Sequence, residues 1–94
     1  MTSLTLSRPS DDAPRTPDAC RFTLRAEAEP SALSRILENF ALRNLVPDQL
    51  SARRDGEELV VSLTVAGLSD MESAHLEIRM MNILPVIEVT LERL

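Results

Sequence analysis

The sequence predicts an α+β sandwich, in which one four-stranded antiparallel sheet carries two helices on one face. Three observations support this prediction. From Arg21 onward, apolar residues alternate as in a strand and then recur every three to four residues as in a helix. This succession of patterns occurs twice, and an Asp-Gly turn separates the two halves. Two strand–helix–strand units with right-handed crossovers, joined by a central hairpin, give the order βαββαβ.

The first half supplies a strand and a strongly amphipathic helix. The strand is predicted from alternating apolar positions, which are Cys20, Phe22, Leu24 and Ala26. Glu29-Pro30-Ser31 precedes the helix, and proline suits a first turn because its missing N–H is no loss there. The helix has a single apolar stripe at i, i+3, i+4, i+7 and i+8, consisting of Leu33, Ile36, Leu37, Phe40 and Ala41.

The second half begins with a strand over residues 46–53 and a hairpin at Asp55-Gly56, which leads into a strand over residues 58–65. Ser69 and Glu72 have the spacing of a capping box and predict the start of the second helix. We expect the buried stripe of that helix to consist of Met71, Ala74, Ile78 and Met81 or Asn82. The last strand follows Pro85 and has Ile87, Val89 and Leu91 at alternate positions.

The N-terminal segment differs in composition from the rest of the chain. Residues 1–18 contain three prolines among Ser, Thr and Asp without periodicity, which predicts a flexible arm. Leu4 and Leu6 alternate and could instead add a short edge strand to a neighbour, but a solvated arm is the favoured reading. The domain itself is expected to span residues 19–94.

Composition and charge exclude several functions. A net charge of −5 disfavours nucleic acid, which requires a basic patch, and aromatic stacking platforms are missing. The chain has no apolar run of about 18 residues and no secretory signal, so we expect no membrane partner. A single cysteine cannot form an internal disulfide, which favours a cytoplasmic location.

No group of residues in the sequence has the pattern of a catalytic or metal site. Cys20 lies on the inward side of its strand and is interpreted as an inert buried thiol. His75 has no cysteine or carboxylate at ligand spacing and is interpreted as a surface residue. We therefore expect a protein that is not an enzyme and that has no cofactor of its own.

The order and spacing of these elements resemble the ACT domain, a ferredoxin-like module that binds small ligands, usually amino acids, and regulates metabolic enzymes. The likeness covers residues 21–91. Within the family, the closest resemblance is to the small regulatory subunit of acetohydroxyacid (acetolactate) synthase. It is carried by the helix at residues 32–40, by Arg43-Asn44-Leu45-Val46 and by the strand at residues 59–65 that leads into Ala66-Gly67-Leu68-Ser69.

The resemblance also indicates where a ligand would bind. In the family, the loop before the first helix and the start of the second strand are close together, often at a dimer interface. The corresponding residues are Glu29, Pro30, Ser31, Ala32, Leu33, Val46, Asp48 and Gln49. Ligand-binding members usually have Asn and Gly where this chain has Ala28 and Ser31, so the resemblance implies a weakened valine-type site.

Two functional hypotheses follow, and they differ in the partner. The first is a regulatory subunit or amino-acid-sensing module, a homodimer with sheets joined edge to edge, associated with the acetolactate synthase large subunit of branched-chain amino-acid biosynthesis. Thiamine diphosphate, magnesium or flavin would then belong to that partner. The alternative is a stand-alone ligand-sensing or scaffold homo-oligomer without a synthase partner. A small enzyme on the same fold is the least favoured.

Overall fold

The computed structural model describes residues 3–6 and 19–94. In this part of the chain the elements are β1 (Ser3–Leu6), β2 (Cys20–Glu27), α1 (Ala32–Ala41), β3 (Gln49–Asp55), β4 (Glu58–Val65), α2 (Asp70–Met81) and β5 (Val86–Arg93). The elements from β2 to β5 follow the predicted βαββαβ order. All strands belong to one antiparallel sheet in the order β1-β3-β4-β2-β5, with β2 and β4 at its centre.

The strand β1 adds a fifth strand to the expected four. It pairs with β3 of the same chain, with Leu4 opposite Ala52 and Leu6 opposite Leu50. At these four residues the chain differs from the expectation of a solvated arm. The reason is that the outer edge of β3 offers unpaired backbone groups, which a short alternating segment can pair with. The three prolines of the arm lie outside the described residues.

The core lies between the sheet and the helices, and β2 contributes its centre. Every second residue of β2, from Cys20 to Ala26, is fully buried, as the alternation predicts. The facing positions of β4, which are Val61, Leu63 and Val65, are also buried. Phe22 and Phe40 join the sheet to α1 within this core.

Helix α1 forms with the predicted stripe but begins later than expected. Ile36 and Phe40 are buried, Leu33 and Leu37 are partly buried, and Ala41 is exposed. The first helical residue is Ala32, so Pro30 lies before the helix and not in its first turn. The helix therefore relies on its apolar face, because no side chain caps its N-terminus.

Helix α2 begins at the predicted capping box but buries a different face. The Ser69 hydroxyl accepts a hydrogen bond from the Glu72 amide, and the Glu72 carboxylate accepts one from the Ser69 amide. The buried residues are Ser73, Leu76 and Met80, whereas the predicted stripe of Met71, Ala74, Ile78 and Met81 is exposed. The prediction of that stripe was wrong, because α2 carries two apolar stripes and Leu76 and Met80 pack into the core.

Two strands differ in detail from their predictions. The strand β3 starts at Gln49 and not at residue 46, so Pro47 precedes the strand. In β5 a register shift opposite Arg25 and Ala26 displaces Ile87, which is exposed, while Val86, Val89 and Leu91 pack against the core. The hairpin turn between β3 and β4 is formed by Gly56, whose φ of +65° is the left-handed conformation that glycine favours, and Glu57.

The face of the sheet opposite the helices carries ion pairs between neighbouring strands. Arg25 bridges two strands there, with its Nε 2.9 Å from Glu88 Oε1 and its Nη1 3.0 Å from Glu58 Oε1. Arg21 pairs with Glu92 across the β2–β5 ladder. A second sheet stacked on this face would have to desolvate these ion pairs, so we expect association elsewhere on the molecule.

Candidate functional site

The residues predicted around the start of α1 form an exposed loop. The Ser31 hydroxyl donates a hydrogen bond to Glu29 Oε1 over 2.9 Å. Its side chain therefore bonds within the loop and does not cap the amides at the start of α1. Glu29 and Pro30 are exposed, and Ala32 is buried. This loop is fixed to the sheet below it, because the Ala28 amide donates to the carbonyl of Glu57 in the hairpin turn.

The second predicted group lies at the entrance to β3. Val46 is 81% exposed, and the side chains of Asp48 and Gln49 are exposed as well. The Asp48 amide donates to the carbonyl of Thr64 over 2.7 Å, which ties this entrance to the end of β4. The group therefore presents polar side chains to solvent at the start of an outer strand.

Within one chain, the structure does not bring the two groups together. Strand β2 runs from Cys20, opposite Val65, to Glu27, opposite Glu58, and the loop before α1 follows its Glu27 end. Gln49 pairs with Thr64 at the other end of the sheet. A strand of this length spans roughly 23 Å, so one small ligand cannot contact both groups in a single chain.

A cavity of about 270 Å³ lies near the Gln49 end of the sheet, between the turn after α1 and the first half of α2. Its lining residues are Arg43, Leu45, Leu68, Glu72, His75 and Leu76. Leu68 and Leu76 are buried and Leu45 is partly buried, so these three provide an apolar surface. The remaining three residues provide polar and charged groups.

The end of α1 positions Arg43 and Leu45. Asn44 has a φ of +56°, and this left-handed residue turns the chain out of the helix. The Leu45 amide donates to the Phe40 carbonyl and the Asn44 amide donates to the Ala41 carbonyl, which is the bonding pattern of a Schellman motif. The Nη1 atom of Arg43 donates to the Asn39 carbonyl over 3.1 Å and holds the side chain beside the helix end.

The start of α2 positions the negatively charged residue of the cavity, Glu72. Glu72 Oε1 accepts the Ser69 amide hydrogen over 2.9 Å. Because this bond, together with the Ser69 hydroxyl, favours the ionised carboxylate, the pKa of Glu72 is lowered from its ordinary value of 4.5. One turn further along the helix, Leu76 is buried beneath the cavity. The α2 wall thus combines a fixed negative charge with an apolar surface.

The lining of this cavity combines the charged Arg43 and Glu72 with an apolar surface. Its lining contains no hydroxyl or thiol nucleophile. Cys20 is fully buried in the core, where desolvation raises the pKa of its thiol and the nearby Arg93 partly offsets the rise. Within residues 3–6 and 19–94, no three His, Cys, Asp or Glu side chains are placed to hold a metal ion. Neither of the described helices is long and apolar enough to cross a membrane.

Sequence reasoning missed this cavity because its walls come from segments about thirty residues apart, the end of α1 and the start of α2. The available signal was weak: Arg43 lies two residues before Leu45, and Glu72 lies four residues before Leu76. Charged residues beside leucines are common on amphipathic helices, so the pattern became informative only when the fold placed the two segments together.

The fold and the cavity together define a small α+β domain with the features of a ligand-binding module. The sequence profile of the ACT-like domain family matches residues 15–94. This chain therefore belongs to the ACT-like domain family, whose members are generally regulatory and non-catalytic. No curated protein is significantly similar to the chain.

Solved structures with the same fold come from other proteins. The crystal structure of the ACT domain from GTP pyrophosphokinase of Chlorobium tepidum superimposes with a TM-score of 0.68 at 12% identity, covering 82% of this chain and 97% of that one. The C-terminal domain of the MgtC protein from Mycobacterium tuberculosis gives a TM-score of 0.64 at 8% identity, covering 80% and 85%. At such low identity the likeness establishes the ferredoxin-like fold alone.

Proposed function

We propose that this protein is a regulatory subunit that binds a small amino-acid ligand and transmits the binding to a larger catalytic partner. The single observation that carries the proposal is the charged and apolar cavity in a chain that belongs to a family of regulatory domains. The cavity lining combines charged side chains with an apolar surface, which suits the recognition of a small ligand.

In its finer form the proposal names the partner as the acetolactate synthase large subunit of branched-chain amino-acid biosynthesis. The support is the sequence resemblance at residues 32–40 and 59–65. Ser31 stands where ligand-binding relatives usually have glycine, and this supports weak or absent feedback by valine at the loop before α1. Co-expression with a synthase large subunit, followed by size-exclusion chromatography and a synthase assay, tests this form. Separate elution with unchanged synthase activity would contradict it and would favour a stand-alone sensor.

We also propose that the protein is a homodimer joined through the edge of β5 and the exposed stripe of α2, defined as Met71, Ala74, Ile78 and Met81. The opposite edge of the sheet is less available, because there the short strand β1 already covers the outer side of β3. Strand β5 pairs on one side only, so its outer backbone groups can pair with those of a second copy.

The position of the stripe supports this choice. Glu72 and His75 lie on the side of α2 that faces the cavity and α1, whereas Asp70 accepts a hydrogen bond from Arg93 on β5. Helical spacing places Ala74 and Met81 on the Asp70 side, and Met71 and Ile78 beside them on the outer face of the helix. Two copies joined by their β5 edges would thus bring their α2 stripes towards each other and bury apolar surface in addition to the paired strands.

A thermal-shift screen against the twenty amino acids, followed by calorimetry on hits, tests the regulatory function. A ligand at one hundred times its dissociation constant stabilises the native state by about 2.7 kcal/mol. In a domain of this size each kcal/mol raises Tm by roughly 4–8 °C, so binding should be plain in the melting curve. If no amino acid at millimolar concentration moves the Tm, the protein is not an amino-acid sensor.

A further inference from the structure

We propose that the cavity between the end of α1 and α2 binds a zwitterionic amino acid with an aliphatic side chain, with Arg43 pairing with its carboxylate and Glu72 with its ammonium group. The inference rests on the proposed function and specifies where the ligand binds. This place differs from both segments that the resemblance indicated, the loop before α1 and the entrance to β3.

Arg43 provides the positive end of the site. Its Nη1 atom donates to the Asn39 carbonyl, and this bond holds the side chain while the other N–H groups of the guanidinium remain for a ligand. Among residues 3–6 and 19–94, Arg43 forms no ion pair, unlike Arg21, Arg25 and Arg93. A guanidinium with free donors pairs well with a planar carboxylate, because two parallel hydrogen bonds can form.

Glu72 provides the negative end. Its Oε1 atom accepts the Ser69 amide hydrogen, which fixes the carboxylate at the first turn of α2. The second carboxylate oxygen has lone pairs for an ammonium group. A glutamate carboxylate is ionised at neutral pH, and the capping box lowers the pKa of Glu72 further.

The apolar lining and the size of the cavity determine which side chain and which size of ligand fit. Leu45, Leu68 and Leu76 form the apolar part, which an aliphatic side chain can cover. At about 270 Å³, the cavity is slightly smaller than the roughly 300–1,000 Å³ of sites for drug-sized molecules. A nucleotide or sugar phosphate fits poorly, since its anionic groups would lie beside the Glu72 carboxylate and the leucines would remain uncovered.

Calorimetry on the full chain with three related probes tests the two charge contacts. L-leucine has both charged groups, leucinamide lacks the carboxylate, and 4-methylpentanoate lacks the ammonium group. We expect leucine to bind and each of the other two to bind at least about tenfold more weakly, since a hydrogen bond to a charged group contributes that much. Equal affinity for all three would overturn the proposal.

Variants distinguish this site from the loop before α1. Arg43→Gln and Glu72→Gln each remove one charge, and glutamine at residue 72 still completes the capping box. We expect both to weaken leucine binding at least about tenfold. Two control variants should leave leucine binding unchanged. Arg35→Gln removes an exposed arginine on α1 outside the cavity, and Ser31→Trp alters the loop before α1.

A structural readout covers the case of a poorly folded variant. In the wild-type protein, leucine should shift the backbone amide NMR signals of Leu45, His75 and Leu76 and leave that of Ser31 in place. If leucine binds but only Ser31→Trp abolishes binding, the ligand lies at the start of α1, so this inference fails while the regulatory function stands. If no amino acid binds, both fail together.

Discussion

The rings of Phe22 and Phe40 meet edge to face in the core, with centroids 5.9 Å apart and planes inclined at 85°. Phe22 is on the central strand β2 and Phe40 is near the end of α1, so this one contact joins the sheet to the helix that leads to the cavity. The chain has only two aromatic residues, and the structure brings them together. Elsewhere the core depends on aliphatic side chains and on the buried Met80.

The aromatic pair should therefore be energetically coupled. Phe40→Ala should lower the free energy of unfolding by about 3–5 kcal/mol, a large part of the stability of a small domain. A double-mutant cycle with Phe22→Leu and Phe40→Leu should give a coupling of about 0.5–1.5 kcal/mol. Urea denaturation monitored by circular dichroism measures both. Additive effects of the two leucine substitutions would mean that the ring contact adds nothing beyond burial.

The exposed stripe of α2 should matter for association and not for folding of the monomer. Ile78→Glu changes a side chain that is 58% exposed, so monomer stability should change by no more than about 0.5 kcal/mol. Leu76→Ala, on the opposite buried face, should cost about 2–5 kcal/mol.

Sedimentation equilibrium of the same Ile78→Glu variant tests the dimer. We expect the wild type to be dimeric and the variant monomeric, because each copy would bring an unpaired carboxylate into the proposed apolar interface. A wild type that is monomeric at high micromolar concentration, or a variant that is still dimeric, would contradict the proposed interface.

Cys20 should be unreactive in the native protein. Its thiol is fully buried and its pKa is raised by desolvation, so little of the reactive thiolate exists at neutral pH. Labelling with a thiol-specific reagent such as DTNB should be slow in buffer and fast in concentrated urea. A labelling rate in buffer similar to that of free cysteine would show that the end of β2 opens readily.

The capping box should make stability depend on pH through Glu72. Because its pKa is lower in the folded than in the unfolded chain, the ionised group stabilises the fold above its ordinary value of 4.5, and this contribution is lost as the pH falls through the lower folded value. Wild type should therefore be more stable than Glu72→Gln near pH 7. Urea titrations from pH 7 to pH 3 should show the difference shrinking. A constant difference across that range would exclude the carboxylate charge as its origin.

The sequence predicted the buried residues well in the elements that have a single apolar face. In β2 and α1 a single face is apolar, so the residues that pack, such as Phe22 and Ile36, could be named in advance. In α2 two stripes compete, one through Ile78 and one through Leu76, and only the packing of the whole domain decides between them. The same limit applies to the candidate site, because the proximity of Arg43 and Glu72 is a property of the fold and not of either segment.

The central position of β2 has a consequence for how the chain acquires its structure. This strand pairs with β4 on one side and with β5 on the other, and both partners come later in the sequence. Of the four ladders, only the one between β3 and β4 closes a short hairpin. Such non-local pairing slows folding relative to helical domains of the same length. During synthesis we therefore expect the β3–β4 hairpin to form first, and the hydrophobic centre to close only after the ribosome has released β5.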